Sequence, residues 1–235
     1  MRIEIWSDVV CPWCYIGKRR LETALAGFEH RDDVEVVYRS FQLDPSAPDV
    51  PVQTVAESLG QKYGGGPEAG QQMVDRVEAV AAEEGLLFRL GEAQRVGTMD
   101  AHRLLHLALE NGGADLQGRL KEELLASYFL RAENVADHDL LRRTAEKAGL
   151  DGLRVQEVLA GDEYADAVEH DIREAAALGA TGVPFFVIDR TYAVSGAQPA
   201  ETFTQVLERA WSESHPRLER VGGSDEVCGP DGCAV

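Results

Sequence analysis

Cys11 and Cys14 stand with only Pro12 and Trp13 between them, inside the stretch DVVCPWCYIGK from Asp8 to Lys18. The chain has four cysteines, and the other two, Cys228 and Cys233, form a second close pair, CGPDGC, near the C-terminus. Proline is favoured at the first position of a helix, where its missing N–H removes nothing and its φ is already helical. Pro12 therefore places Cys11 at the N-cap. A sulfur there faces unpaired backbone N–H groups and the positive end of the helix dipole, and both favour a thiolate. Cys14 follows nearly one turn later, close enough to shut a small disulfide ring, with the more buried sulfur of the two. An exposed thiolate that attacks and a second thiol that resolves the mixed disulfide are what thiol–disulfide exchange requires. Two other readings remain open. The four cysteines could form an all-cysteine zinc site, although such pairs usually sit in turns and this one opens a helix. The pair could also be two inert buried thiols.

A second feature belongs with the first. In ATGVPFFV, Pro184 stands immediately before an apolar run. Only about 5–6% of X-Pro bonds in folded proteins are cis, and a proline at strand entry is ordinary. The elements, however, bring this loop beside the first helix. RIEIWSD alternates with period two and reads as a strand, with Ile3 and Ile5 on one face. From Pro12 a helix runs to about Glu29, and VEVVYRSFQL is a second strand. A Pro-rich loop, DPSAPDVP, then changes the texture. Between roughly 52 and 179 the periodicity is helical almost throughout, with GGGP as a break and Gly112-Gly113 stopping one apolar stripe. PFFVID and YAVSG flank a short turn at Arg190-Thr191 and read as a hairpin, and PAETFTQVLERAW closes the fold as a helix. The expectation is an α/β fold. Residues 1–50 and 180–215 make a discontinuous domain with a four-stranded mixed sheet, 51–179 make an inserted helical domain, and 216–235 form a weakly ordered tail carrying the second cysteine pair.

Composition narrows the function. Of 235 residues 44% are hydrophobic, enough for a core without disulfide staples. The formal net charge of -18 argues against nucleic acid, whose phosphates would be repelled, and against an anionic membrane surface. No apolar run approaches the ~18 residues of a membrane span. The first residues alternate rather than forming an apolar signal core, so a cytoplasmic protein is expected. In a reducing compartment, close cysteine pairs are more often catalytic or metal-binding than structural.

CPWC after a strand, the helical insertion, GVPFF and AVSGAQP together resemble the DsbA family of thioredoxin-fold proteins. Within it they are similar to the FrnE-like branch, which is related to the 2-hydroxychromene-2-carboxylate isomerases and kappa-class glutathione transferases. The resemblance spans about residues 2–212. It implies a cis Pro184, with Val183 presenting backbone hydrogen bonds to an extended substrate, and a thiol–disulfide oxidoreductase or isomerase acting on protein or peptide thiols. No cofactor is implied beyond the redox-active disulfide, with a thioredoxin- or glutathione-type reductant as electron donor. TMDAHRLLHLA also fits the branch, except that Gly97 replaces an expected Asn. It brings His102 and Arg103 in as substrate-side candidates, with a buried packing histidine as the plainer reading. Trp13 is a further candidate substrate contact, with simple surface packing as the alternative. The family core does not account for Cys228 and Cys233; the turn formers between them let the sulfurs approach, and the pair is read as an accessory redox pair, against an incidental tail pair or a weak metal clip. Relatives of the kappa type carry Ser where this chain has Cys11 and activate glutathione. A glutathione-dependent isomerase or transferase is therefore the alternative, and a zinc-holding or binding module a second one.

Overall fold

The computed structural model describes residues 1–216, so Cys228 and Cys233 lie outside the described residues. The chain runs β1 (Arg2–Ser7), α1 (Pro12–Ala26), β2 (Glu35–Ser40), α2 (Val55–Tyr63), α3 (Gly66–Glu83), α4 (Met99–Arg131), α5 (His138–Ala148), α6 (Gly152–Ala160), α7 (Ala165–Ala177), β3 (Phe185–Ile188), β4 (Tyr192–Ser195) and α8 (Ala200–Ser214). The strands form one mixed sheet in the order β2-β1-β3-β4. β2 runs parallel to β1, while β3 is antiparallel to β1 and to β4. This is a thioredoxin-like sheet with helices inserted between β2 and β3.

The period of two in β1 separates its faces. Ile3 and Ile5 pack with Phe186, Leu21, Phe203 and Leu207 beneath α1 and α8. Trp6 turns the other way, against Phe185, Val187 and Ala175 of α7. The inserted helices share their core with α1. Val9, Tyr15 and Ile16 pack into the same cluster as Leu104, Leu120, Leu124 and Phe129. This apolar continuity fixes the start of α1 against α4.

Several boundaries differ from expectation for local reasons. α1 stops at Ala26, where the Gly27 N–H bonds to the Ala24 carbonyl and the Phe28 N–H to the Leu25 carbonyl. The hairpin turn sits one residue early, at Asp189 and Arg190, both at positive φ. The stretch from Leu86 to Val96 is irregular rather than helical. It buries Leu86, Phe88 and Leu90 on alternate residues while Leu87 stays exposed. Gly112 and Gly113 do interrupt the helix as expected: both leave helical geometry, Gly113 at φ 66°, and they divide α4 into two helical segments across a kink. Asp137 caps α5 by accepting from the Leu140 N–H at 2.7 Å, and α6 is a short helix that the periodicity did not separate. β2 forms one edge of the sheet. Its outward N–H and C=O at Tyr38 are taken by the Gln117 side-chain amide, at 2.8 and 2.9 Å.

Candidate active site

Cys11 is the N-cap of α1, in extended conformation, with proline following at the first helical position. The turn entering it is tight, because the Cys11 N–H reaches back to the Asp8 carbonyl at 3.4 Å. The Asp8 carboxylate holds this corner. It accepts from the Val9 N–H at 2.7 Å and from the Leu43 N–H at 2.8 Å, tying the loop before Cys11 to the loop after β2. It also meets His102 Nε2 at 3.2 Å. Burial pushes the Asp8 carboxyl up, but the hydrogen bonds from His102 and Leu43 outweigh it and hold the group below the ordinary value. Burial likewise pushes His102 down, against the pull of Asp8. The two directions agree on one state: an ionised carboxylate accepting from a neutral imidazole.

Both thiols are free and buried, Cys11 at 2% and Cys14 at 4% exposure, so Cys11 is not the exposed sulfur the sequence suggested; it differs from Cys14 in lining a pocket. The Cys11 sulfur donates to the Val183 carbonyl oxygen at 3.6 Å. Cys14 lies behind it on the first turn, and burial, then its hydrogen bond and charge contact with Cys11, push its thiol well up. Lys121 opposes that shift. Its side chain is 1% exposed and forms no ion pair within contact distance among the described residues. Its ammonium reaches only the Ser7 carbonyl, at 3.5 Å, and lies 5.6 Å from the centre of the Tyr38 ring. Burial pulls it down to about 8, offset in part by Cys14, Asp8 and Cys11. An unpaired buried ammonium is costly, and here it faces the dithiol.

On the other side, the Val183–Pro184 peptide bond is cis. Pro184 is buried against α1 at Gly17, where a Cβ would stand 3.1 Å from Pro184 Cγ and 3.2 Å from Phe186 Cζ. Gly17 thus lets the helix that carries both cysteines touch the loop that faces them. Gly17→Val should overpack this contact and destabilise the protein by about 1–3 kcal/mol, read as a lower urea midpoint at unchanged slope. An unchanged midpoint would show that the contact yields freely.

Trp13 is exposed and lines an apolar pocket of about 400 Å³ together with Val10, Cys11, Pro12 and Val183. The expected residues therefore divide. Cys11, Trp13 and Val183 meet at one pocket, with Cys14 and Pro184 buried behind them. His102 and Arg103 do not meet substrate there. His102 is fully buried and acts on the Asp8 corner, with its Nδ1 left without a hydrogen-bond partner. Arg103 spends its guanidinium on the Glu163 and Gly161 carbonyls, both at 2.7 Å, on the Val158 carbonyl, and on Asp100 at 2.6 Å. It clamps the α6–α7 loop, and no charge is left over for the cysteines. Asp8 and Lys121 were not singled out by sequence. Asp8 stands three residues before Cys11, whereas Lys121 reaches the site only through the packing of α4.

The model of the DSBA-like thioredoxin domain matches residues 2–208, and the chain belongs to that family. A Bacillus subtilis protein, YwbO, described as uncharacterized, is 28% identical over 213 residues, covering 88% of this chain and 96% of its own length. The crystal structure of a probable DsbA oxidoreductase from Streptomyces coelicolor superposes with a TM-score of 0.84 at 51% identity, covering 100% of this chain and 99% of the other. A putative protein disulfide isomerase from Nitrosomonas europaea shares the fold, with a TM-score of 0.68 at 17% identity over 91% of this chain and 98% of the other.

Proposed function

We propose that the protein is a thiol–disulfide oxidoreductase that exchanges disulfides with protein or peptide thiols through Cys11 and Cys14. The observation that carries this reading is the arrangement of the two sulfurs. Cys11 sits at the pocket beside Val183, and Cys14 is buried one turn behind it near Lys121.

In the reducing direction the Cys11 thiolate attacks one sulfur of a substrate disulfide. The Cys11–substrate S–S bond forms, the substrate S–S bond breaks, and the departing thiolate takes up a proton. Cys14 then loses its proton and attacks the Cys11 sulfur. The Cys11–Cys14 disulfide forms and the second substrate thiol leaves, so two electrons have passed from protein to substrate. A thiol reductant of thioredoxin or glutathione type restores the dithiol. Run backwards, the same steps oxidise a substrate dithiol. Val183, just before the cis proline, presents its backbone to an extended substrate in the manner of an added strand. Trp13, which lines the same pocket as Cys11, contacts the bound substrate. A cytoplasmic setting agrees with this use of the cysteines, and among the described residues no helix is long and apolar enough to cross a membrane.

A glutathione redox titration of the full-length protein tests the reading. Cys11 and Cys14 should interconvert as one two-electron couple, followed by mass shift after alkylation and peptide mapping. A pair that fails to cycle, or that is held by a metal in the purified protein, would overturn it.

A further inference from the structure

Among the described residues two buried side-chain atoms have no hydrogen-bond partner, Ser7 Oγ and His102 Nδ1. Both belong to one cluster behind the dithiol. The two segments of α4 meet again beyond their kink, because the Gln117 amide reaches the Leu105 carbonyl at 3.3 Å. One turn further from the kink on each segment, Lys121 comes beside Ala101 and His102. Lys121 Nζ reaches the Ser7 carbonyl at 3.5 Å, and His102 Nε2 lies 3.2 Å from Asp8 Oδ1. Ser7, Asp8, His102 and Lys121 are all buried, at the end of β1. Cys14 meets this cluster through a hydrogen bond from the Asp8 backbone N–H.

A buried polar atom without a partner is costly, and in a native fold it calls for a role. The second step of exchange supplies one. Cys14 must give up a proton before it attacks, and its burial keeps bulk water away. The Asp8 carboxylate already accepts from Val9, Leu43 and His102. Lys121 as an ammonium has no lone pair to offer. His102 is a neutral base with a free lone pair, and a carboxylate holds its other nitrogen, which is how a general base is oriented.

We propose that His102, oriented by Asp8, takes the proton of Cys14 when the mixed disulfide is resolved. This role rests on the disulfide-exchange reading and assigns a residue to its second step. The proton leaves the Cys14 sulfur and crosses, on water bound at Ser7 Oγ, to His102 Nδ1. A Cys14 thiolate remains, and the Asp8 carboxylate balances the imidazolium. The thiolate attacks Cys11, the Cys11–Cys14 bond forms and the Cys11–substrate bond breaks. The departing thiolate takes up a proton as His102 releases one, and the neutral imidazole is restored. The titratable groups facing His102 are Asp8 from the loop after β1, Lys121 and His106 from α4 and, through Asp8, Cys14 from α1. Burial, with Lys121 and His106, outweighs Asp8 and holds His102 below its ordinary 6.5, so the base form is present at neutral pH.

The test mixes one equivalent of 4,4′-dithiodipyridine with reduced full-length protein in which Cys228 and Cys233 are replaced by Ser. Thiopyridone is released first as Cys11 attacks and again as Cys14 resolves the adduct. His102→Gln keeps a donor towards Asp8 but removes the base. It should leave the first phase unchanged and slow the second by roughly a hundredfold near pH 7, as when a positioned base is lost. With His102 present, the second phase should be level at neutral pH and fall as pH drops below 6.5; in the variant it should climb with pH throughout. The second phase alone should also slow in deuterium oxide, a measurement on the His102 protein that holds even if the variant does not fold. Equal second phases, both phases slowed alike, or no isotope effect on the second would overturn the inference while the exchange reading stands. Release of only the first equivalent by the His102 protein would overturn the exchange reading, and this role with it.

Discussion

Cys11→Ser should reduce disulfide exchange to the uncatalysed background, a fall of at least about a thousandfold in kcat/KM, as when a nucleophile is removed from a unit that works together. Cys14→Ser should behave differently. It keeps the attacking sulfur at the pocket but cannot resolve the product, so the protein should accumulate as a mixed disulfide with its substrate, visible by mass spectrometry and reversed by dithiothreitol. The asymmetry follows from position. Cys11 lines the pocket and meets the Val183 carbonyl, while Cys14 does not line it, and burial pushes its thiol well up. Cys14 therefore waits for a sulfur delivered to it. Trapping through Cys14 in the Cys11→Ser protein would reverse the assignment.

Lys121→Met should make the protein more stable near neutral pH and less able to complete exchange. The native Lys121 titrates at about 8, against 10.5 for an ordinary lysine. Below pH 8 both folded and unfolded chains carry the charge, and the folded one bears the whole cost of burying it. Between 8 and 10.5 the unfolded chain binds more protons, so stability rises with pH as that cost is relieved. The advantage of the methionine variant should thus be greatest below pH 8, on the order of 2–3 kcal/mol, and should vanish towards pH 10.5. Urea unfolding of both proteins at pH 7 and pH 10 measures the difference. The same substitution removes the cation that favours a Cys14 thiolate, so the mixed disulfide should persist longer than in the parent. A variant less stable at pH 7 would show that Lys121 is held by contacts stronger than the cost of its burial.

The parts of this site that a reader of the sequence can find are those written within one turn of helix. Cys11, Pro12 and Cys14 carry their geometry in their spacing, because a proline at the first helical position fixes where the cap must be. The alternation in β1 separated Ile3 and Ile5 from Trp6 for the same local reason. Lys121 was hidden because it sits among charged residues, KEE, on a helix whose apolar stripe is carried by Leu120, Leu124 and Tyr128. Nothing nearby shows that its own side of the helix is covered by β1 and β2. Arg103 misled in the opposite way. It adjoins His102 in sequence, but successive helical residues point in different directions. One lies against Asp8 while the other reaches the carbonyls of the α6–α7 loop. The irregular stretch from Leu86 to Val96 passed for helix because its buried residues alternate inside a long helical context, and alternation over a few residues carries little weight there.

The Gln117 amide on Tyr38 has a consequence for life in a crowded solution. An uncovered edge strand is a template for the strands of other chains, and a protein exchanging disulfides with extended peptides, as proposed above, would meet such strands often. By mimicking a neighbouring peptide group on the outward face of β2, Gln117 closes the middle of that edge without adding a strand. At the opposite edge β4 spans only Tyr192–Ser195. With one edge capped at Tyr38 and the other four residues long, both sheet edges offer little free backbone for a further strand to pair with.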